Sequence, residues 1–402
     1  MKNKHIIYST PKSGYFIVEN TIKMSDKKSD TINFYSGNTV IGDMNTPDLK
    51  HCLNWAGDLY TNNSIESGVN GVASLKEALI HYLTGFQIFA KTENILVNMG
   101  IMQALALLIE APFPNNKKTI LIEQPSYGYF LENLSTQGYN ILGIERNEAG
   151  IDLKSLEKLF KEEDIKFFYI IPRHHNPLGT TLKKSQRKAI AKLATKYDVY
   201  IVEDDYFSDI DLDESYDPIF SYSDYEHIIY LKSYSKIMPW MRIGFIILPN
   251  NLIALFNKTI ISTSYKSYFA ASLLSQATLE IYLRSKILKK HSDIITTDLR
   301  KKYLVLNKGL KSLEKFGAEV ICNHSGFYSY IRLPENINED ILVKELSNKN
   351  VIVGSGRRFF LSNSFYKKGI RLSIASVSTD EIQKGLSIIE NTISNLIKEP
   401  TV

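Results

Sequence analysis

The chain has 402 residues, 44% hydrophobic and 23% charged, which suits a soluble globular protein long enough for two domains. Its net charge of +5 is scattered over pairs such as Lys117-Lys118, Lys183-Lys184 and Lys289-Lys290 that are interleaved with acids, so nucleic acid is not an expected partner. Cys52 and Cys322 lack metal-type spacing and read as free thiols, no leader-like segment opens the chain, and Pro249-Asn250-Asn251 breaks the most apolar stretch, all as expected of a cytoplasmic protein without a membrane span.

Taken in order, two β-prone runs at 5–10 and 15–18 flank the turn Pro11-Lys12-Ser13-Gly14 and predict a hairpin arm, and the polar stretch 21–31 reads as a linker. The run Ile95-Leu96-Val97-Asn98 predicts a short strand, followed by Met99-Gly100-Ile101-Met102-Gln103 and an apolar helix. A strand, a glycine turn and a helix start present unpaired N–H groups, and the helix dipole adds to their attraction for a phosphate. An ordinary strand-to-helix turn is the plainer reading. The stretch 119–127 also reads as a strand ending in a loop, with Tyr127 in the loop, and a strand at 167–172 ends in Arg173-His174-His175-Asn176-Pro177-Leu178-Gly179. Adjacent histidines point in different directions and no third ligand accompanies them, so His174 and His175 are assigned no metal.

The next strand, 199–202, runs into Glu203-Asp204-Asp205-Tyr206. An acid buried at a strand end is costly unless it meets a cation. Asp204 is read in that way, whereas Glu203 and Asp205 fit a solvated acidic loop. Then comes Ser233-Tyr234-Ser235-Lys236, followed by Arg242 and an apolar run at 243–248. Partial burial lowers a lysine's pKa and lets the neutral amine attack a carbonyl to form a Schiff base. Ser233 and Arg242 beside it would hold a phosphate. An aldehyde that carries a phosphate is pyridoxal 5′-phosphate, PLP. Beyond 272, long helical patterns alternate with short strands at 317–321 and 326–331 and predict a smaller domain.

From about Ile32 onward these stretches resemble, in order and spacing, the PLP-dependent fold-type I aminotransferases of class I/II. The resemblance implies an α/β fold: a large domain (61–280) with a mainly parallel seven-stranded sheet between helices, and a smaller α+β domain from 32–60 and 281–402. It implies that Lys236 carries PLP, that Asp204 keeps the pyridine nitrogen charged, and that Asn176 and Tyr206 meet the cofactor's phenolic oxygen. Tyr127 would stack on the ring, while Gly100, Ile101, Met102, Ser233 and Arg242 would hold the phosphate. Gly37 would pass close to the substrate and Arg371, in Gly369-Ile370-Arg371-Leu372-Ser373, would fork onto its α-carboxylate; Arg357-Arg358 is a lower-ranked rival. The glycine, leucine and basic residue of Gly71 to Lys76 also match, but the tyrosine that the family places before that glycine is Glu66 here. Tyr60 is the nearest candidate for that contact with the partner subunit's phosphate. The resemblance implies a homodimer that transfers the amino group of an amino acid to a 2-oxo acid.

Residues 1–31 also resemble the wing hairpin and linker of MocR/GabR-type (GntR family) regulators, which carry an aminotransferase-like domain. The alternative reading is therefore a PLP- and effector-binding sensor domain without DNA-binding helices. A lyase, racemase or decarboxylase on the same scaffold also remains open, as does the identity of the substrate.

Overall fold

A computed structural model of the chain describes residues 7–10, 14–17, 30–39, 46–63, 70–210, 216–262, 271–321 and 326–398. Glu66, Cys322 and nearly all of the 21–31 stretch lie outside them. The chain divides into two units, Met1–Thr31 and Ile32–Val402. In the first, β1 (Ile7–Thr10) pairs antiparallel with β2 (Gly14–Ile17), Tyr8 opposite Phe16, as the two β-prone runs predict.

The second unit opens on β3 (Ile32–Asn33). Its principal sheet comprises β4 (Ile95–Asn98), β5 (Thr119–Gln124), β6 (Ile141–Asn147), β7 (Gly150–Ile151), β8 (Ile165–Ile170), β9 (Tyr200–Asp204), β10 (Ile228–Ser233) and β11 (Gly244–Ile247). Their spatial order is β4-β11-β10-β9-β8-β5-β6-β7. Pairing is antiparallel at β4-β11, β11-β10 and β6-β7 and parallel elsewhere, so β11 and β7 alone run against the other six. The sheet is mainly parallel as expected, but it has eight strands instead of seven. The extra one is β7, two residues folded back on the edge strand β6, too short to show in a hydrophobic pattern.

Period-2 alternation sends each central strand to both faces of this sheet. Ile120, Ile122, Phe167, Tyr169, Tyr200, Val202, Ile229 and Leu231 pack on one face with the helices Ile101–Glu110, Gly128–Gln137 and Asn250–Ser262. Leu121, Phe168, Ile170, Ile201, Ile228 and Tyr230 pack on the other with the helices Ala73–Thr84, Leu153–Glu162 and Lys184–Tyr197. Burial on both faces explains why the strands read as continuous apolar runs.

A smaller antiparallel sheet follows, β12 (Glu319–Ile321), β13 (Tyr328–Arg332), β15 (Gly354–Ser355) and β16 (Gly369–Ser373), in the order β12-β13-β16-β15. Between its members β14 (Val351–Ile352) pairs in parallel with β3, and Phe34 O accepts from Ser373 N. These contacts set the segment after β3 beside the end of β16.

Candidate active site

Parallel strands end at one edge of a sheet, and the loops that leave that edge converge. Here β4 delivers Gly100, β5 delivers Tyr127, β8 delivers Asn176, β9 ends on Asp204 and β10 on Ser233, with Lys236 in the turn beyond. Strand β11 runs the other way and so begins at the same edge, just after Arg242. All of these residues, with Ile101, Met102 and Tyr206, line one cavity of about 780 Å³.

One set of lining groups suits an anion. Gly100 has φ +114, a conformation that a side chain would strain, and its N–H donates to Asn98 Oδ1 at 2.7 Å. This sharp turn starts the helix Ile101–Glu110, whose opening amides at Ile101 and Met102 precede its first hydrogen bond, Gln103 N to Gly100 O at 3.2 Å. Ser233 Oγ sits 3.1 Å from Ser235 Oγ. Arg242 is held at φ +45, is exposed, and among the described residues has no acidic partner.

The middle of the cavity carries a buried acid with spare capacity. Asp204 Oδ2 accepts from the Tyr169 hydroxyl at 2.6 Å, while Oδ1 is buried without a partner. Burial, opposed by the Tyr169 hydrogen bond, pushes this carboxyl up to about 7. Asn176 Oδ1 accepts from Arg371 Nη1 at 3.0 Å, so its amide N–H groups are what remain to donate. Arg371 also donates to Tyr35 O and lies 4.6 Å from the Tyr328 ring centroid; its Nε is buried and unpartnered.

Lys236 is half-buried; its Nζ lies 5.6 Å from the Tyr206 ring centroid and donates to Gly37 O and, at 3.4 Å, to Asn38 Oδ1. A Cβ on Gly37 would lie 2.1 Å from the Tyr328 hydroxyl, so only glycine lets the segment after β3 pass this close. Gly37 and Arg371 thus adjoin the lining without forming part of it. The Tyr206 hydroxyl donates to His174 O at 2.7 Å, so the expected pairing with a cofactor oxygen needs that hydroxyl to turn or to accept.

The sequence pattern of the family described as aminotransferase class I and II matches residues 50–389. The chain belongs to the aminotransferase class I and II family. A Bacillus subtilis protein named as an uncharacterized HTH-type transcriptional regulator, YcxD, is 34% identical over 97% of this chain and 88% of its own length. The chain spans about two thirds of two further regulator-named relatives from that organism. An aromatic-amino-acid aminotransferase of Thermococcus litoralis is 26% identical over 82% of this chain and 79% of its own. The fold is also that of a multiple substrate aminotransferase from Thermococcus profundus, with a TM-score of 0.82, 23% identity and 93% of each chain covered.

The cofactor of this aminotransferase fold is pyridoxal 5′-phosphate. The residues present fit it: an orphaned carboxylate oxygen on Asp204 matches a protonated ring nitrogen, and Arg242 with the helix start matches a phosphate.

Three sequence expectations need correcting. Glu203 and Asp205 are not a solvated acidic loop but are 0% and 1% exposed. Glu203 accepts from Ile219 N and Phe220 N, at 2.8 and 2.9 Å, and Asp205 takes a forked contact from Arg173, at 2.6 and 2.7 Å. Burial alone would raise Asp205, but Arg173, Lys232 and Tyr230 bring it below the usual range. Tyr60 is not free for a phosphate, because its hydroxyl donates to Glu280 Oε2 at 2.5 Å. Of the rival arginines, Arg357 turns to Asn363 while Arg358 lines the aminotransferase cavity. Sequence reasoning also missed Asn38, Tyr129 and Tyr328 as lining residues. The 326–331 run announced a strand, but nothing in one sequence says which of its faces meets the cavity.

Proposed function

We propose that this chain is a PLP-dependent aminotransferase that moves an amino group from an amino acid to a 2-oxo acid. The observation that carries the reading is the convergence of Lys236, Asp204, Asn176 and Arg242 on a single cavity. PLP, when bound, supplies an electrophilic aldehyde and a ring that withdraws electrons from the substrate. Asp204, with one oxygen uncommitted, holds a proton on the ring nitrogen and keeps it cationic. Asn176, oriented by Arg371, donates to the ring oxygen, and Tyr127 covers a ring face. The substrate α-carboxylate takes up the unfilled donor capacity of Arg371. Lys236 Nζ, withdrawn from Gly37 O, carries the α-proton. Residues 61–280 are read as the cofactor domain and 32–60 with 281–402 as the smaller one. A homodimer in the cytoplasm is the accompanying reading; among the described residues no helix is long and apolar enough to cross a membrane.

A second reading is favoured by YcxD and by the β1-β2 hairpin: a ligand-sensing domain of a transcriptional regulator. It uses the same cavity without turnover. Borohydride reduction of the PLP-loaded protein, with peptide mapping by mass spectrometry, should place the label on Lys236; a label elsewhere or none overturns both readings. Sustained 2-oxo acid release with amino donors and 2-oxoglutarate separates the enzyme from the sensor, which binds the amine and stops.

A further inference from the structure

Behind the cavity lies a buried cluster of ionisable groups to which the cofactor reading gives no role. Glu123 of β5 and Arg146 of β6 are both fully buried, with Arg146 Nη1 3.2 Å from Glu123 Oε1. Neither lines the cavity. An enclosed ion pair adds little to stability, because desolvation offsets most of the attraction and apolar residues of the same volume serve a fold as well. What such a pair can supply is direction.

Among the described residues, the other polar contacts of the two side chains all fall on the segment that follows β8. Glu123 Oε2 accepts from Ile171 N at 2.7 Å and lies 3.3 Å from His175 Nε2, without the alignment of a full hydrogen bond. Arg146 Nη2 donates to Thr180 Oγ1 at 3.2 Å. His175 and Thr180 are the two ends of one tight loop: His175 N donates to Thr180 O at 2.9 Å, and Gly179 N donates to His175 O at 2.6 Å. The acid therefore sits against one end of the loop and the arginine holds the other, with Asn176 between them. Burial lowers the pKa of His175, and its Nδ1 accepts from Leu178 N at 3.5 Å, so the ring is neutral and carries its proton on Nε2, toward Glu123. From the cavity side, Arg371 fixes Asn176 at Oδ1.

We propose that Glu123 and Arg146 are positioning residues, which act through the 175–180 loop to hold the Asn176 amide where it meets the cofactor's ring oxygen. The inference rests on the reading of this cavity as a PLP site. The pair touches neither cofactor nor substrate; its effect passes through the loop to one side chain. A donor that can swing away loses part of its hydrogen bond to the entropy of ordering it, and a donor held at the loop's base keeps it.

The test compares, by fluorescence titration, the dissociation constants of PLP and of 3-deoxypyridoxal 5′-phosphate, which lacks the ring hydroxyl. Their ratio isolates the group that Asn176 meets and cancels the phosphate and aldehyde contacts that the two ligands share. Asn176→Ala should cut the advantage of PLP about fivefold, the worth of one hydrogen bond. Glu123→Gln combined with Arg146→Met removes both charges together, keeps an acceptor for Ile171 N, and should cut the advantage about threefold. Thr180→Val, which frees the arginine's end of the loop and leaves both charges in place, should cut it about two- to threefold. In the Asn176→Ala protein neither change should move the ratio further, because groups that act through one another are not additive. A loss shared equally by the two ligands means that the pair serves the fold alone, and it overturns the inference. A further fall of the ratio in the Asn176→Ala protein overturns it as well. If the charge-free protein does not fold, Thr180→Val decides by the same criteria. A ratio that responds to Asn176→Ala but to neither loop change removes this inference and leaves the PLP site standing; a ratio that ignores Asn176→Ala removes the assigned place of the ring oxygen and this inference with it.

Discussion

The two faces of the principal sheet receive ionisable groups from the same strands and treat them in opposite ways. Glu203, Asp205 and Lys232 point to the face shared with the helix Lys184–Tyr197, where Asp205 meets Arg173 and Lys232 Nζ meets Asp209 at 2.9 Å. Asp204 and Ser233, one residue along in each strand, point to the face of the helix Ile101–Glu110 and open on the cavity. There Asp204 keeps an oxygen without a partner. Arg173 forks onto one buried acid, whereas its neighbour is met by the Tyr169 hydroxyl and the Tyr206 backbone and keeps Oδ1 open to the cavity. The difference separates charges that hold the fold from those we propose hold the cofactor, and residue type alone does not reveal it.

Two lysines of one stretch, Lys232 and Lys236, divide in the same way. Lys236→Ala should lower transamination by at least about a thousandfold, since it removes both the attachment point and the base, with little loss of stability. Lys232→Met should do the opposite: it strands Asp209 in the interior and costs about 3–5 kcal/mol in chemical denaturation, while borohydride still labels Lys236. A Lys232 variant that lost the label yet kept its stability would falsify the division.

Asp204→Asn comes next in size. Turnover should fall about a hundred- to a thousandfold, because the ring nitrogen loses the charge that keeps it protonated. The variant also has a pH signature without PLP. The folded value of Asp204 is raised to about 7, so its contribution to stability is present at low pH and is lost as pH climbs from the ordinary carboxylate range through about 7. Asparagine imitates the protonated form at every pH. Cofactor-free Asp204→Asn should therefore match the parent near pH 4 and exceed its denaturation midpoint at pH 8. Added PLP should then stabilise the parent more than the variant. Parallel stability curves for the two proteins would return Asp204 to the structural set.

How much of this division could be read from residues in order depended on whether each signal was local. The strands were legible because burial on both faces leaves unbroken apolar runs, as in Phe167-Phe168-Tyr169-Ile170. Lys236, Asp204 and Asn176 could be placed at one sheet edge from sequence because each lies at or soon after the end of an apolar strand. Asp205 was not, since the partner that buries it, Arg173, leaves a different strand and no local pattern couples the two. Arg358 was ranked low for the same reason: its place on the cavity wall is set by the packing of the Gly356–Phe359 turn on the helix Gly128–Gln137, not by its neighbours in sequence. The two-residue strand β7 has no pattern to detect.

At Ser233 the division between the two faces comes down to a single hydroxyl. Ser233 lies next to Lys232 in β10, and period 2 puts the two on opposite faces. Ser233 Oγ accepts from Ser235 N at 3.2 Å and donates to Ser235 Oγ at 3.1 Å, so it has a local role in the turn and meets a phosphate only by redirecting its proton. One neutral hydrogen bond out of several is worth about 1 kcal/mol, so Ser233→Ala should weaken PLP binding about fivefold in a fluorescence titration. Pyridoxal, which lacks the phosphate, should bind the variant and the parent alike. An equal loss for both ligands would mean that the turn had moved, and that the hydroxyl belongs with the groups that hold the fold.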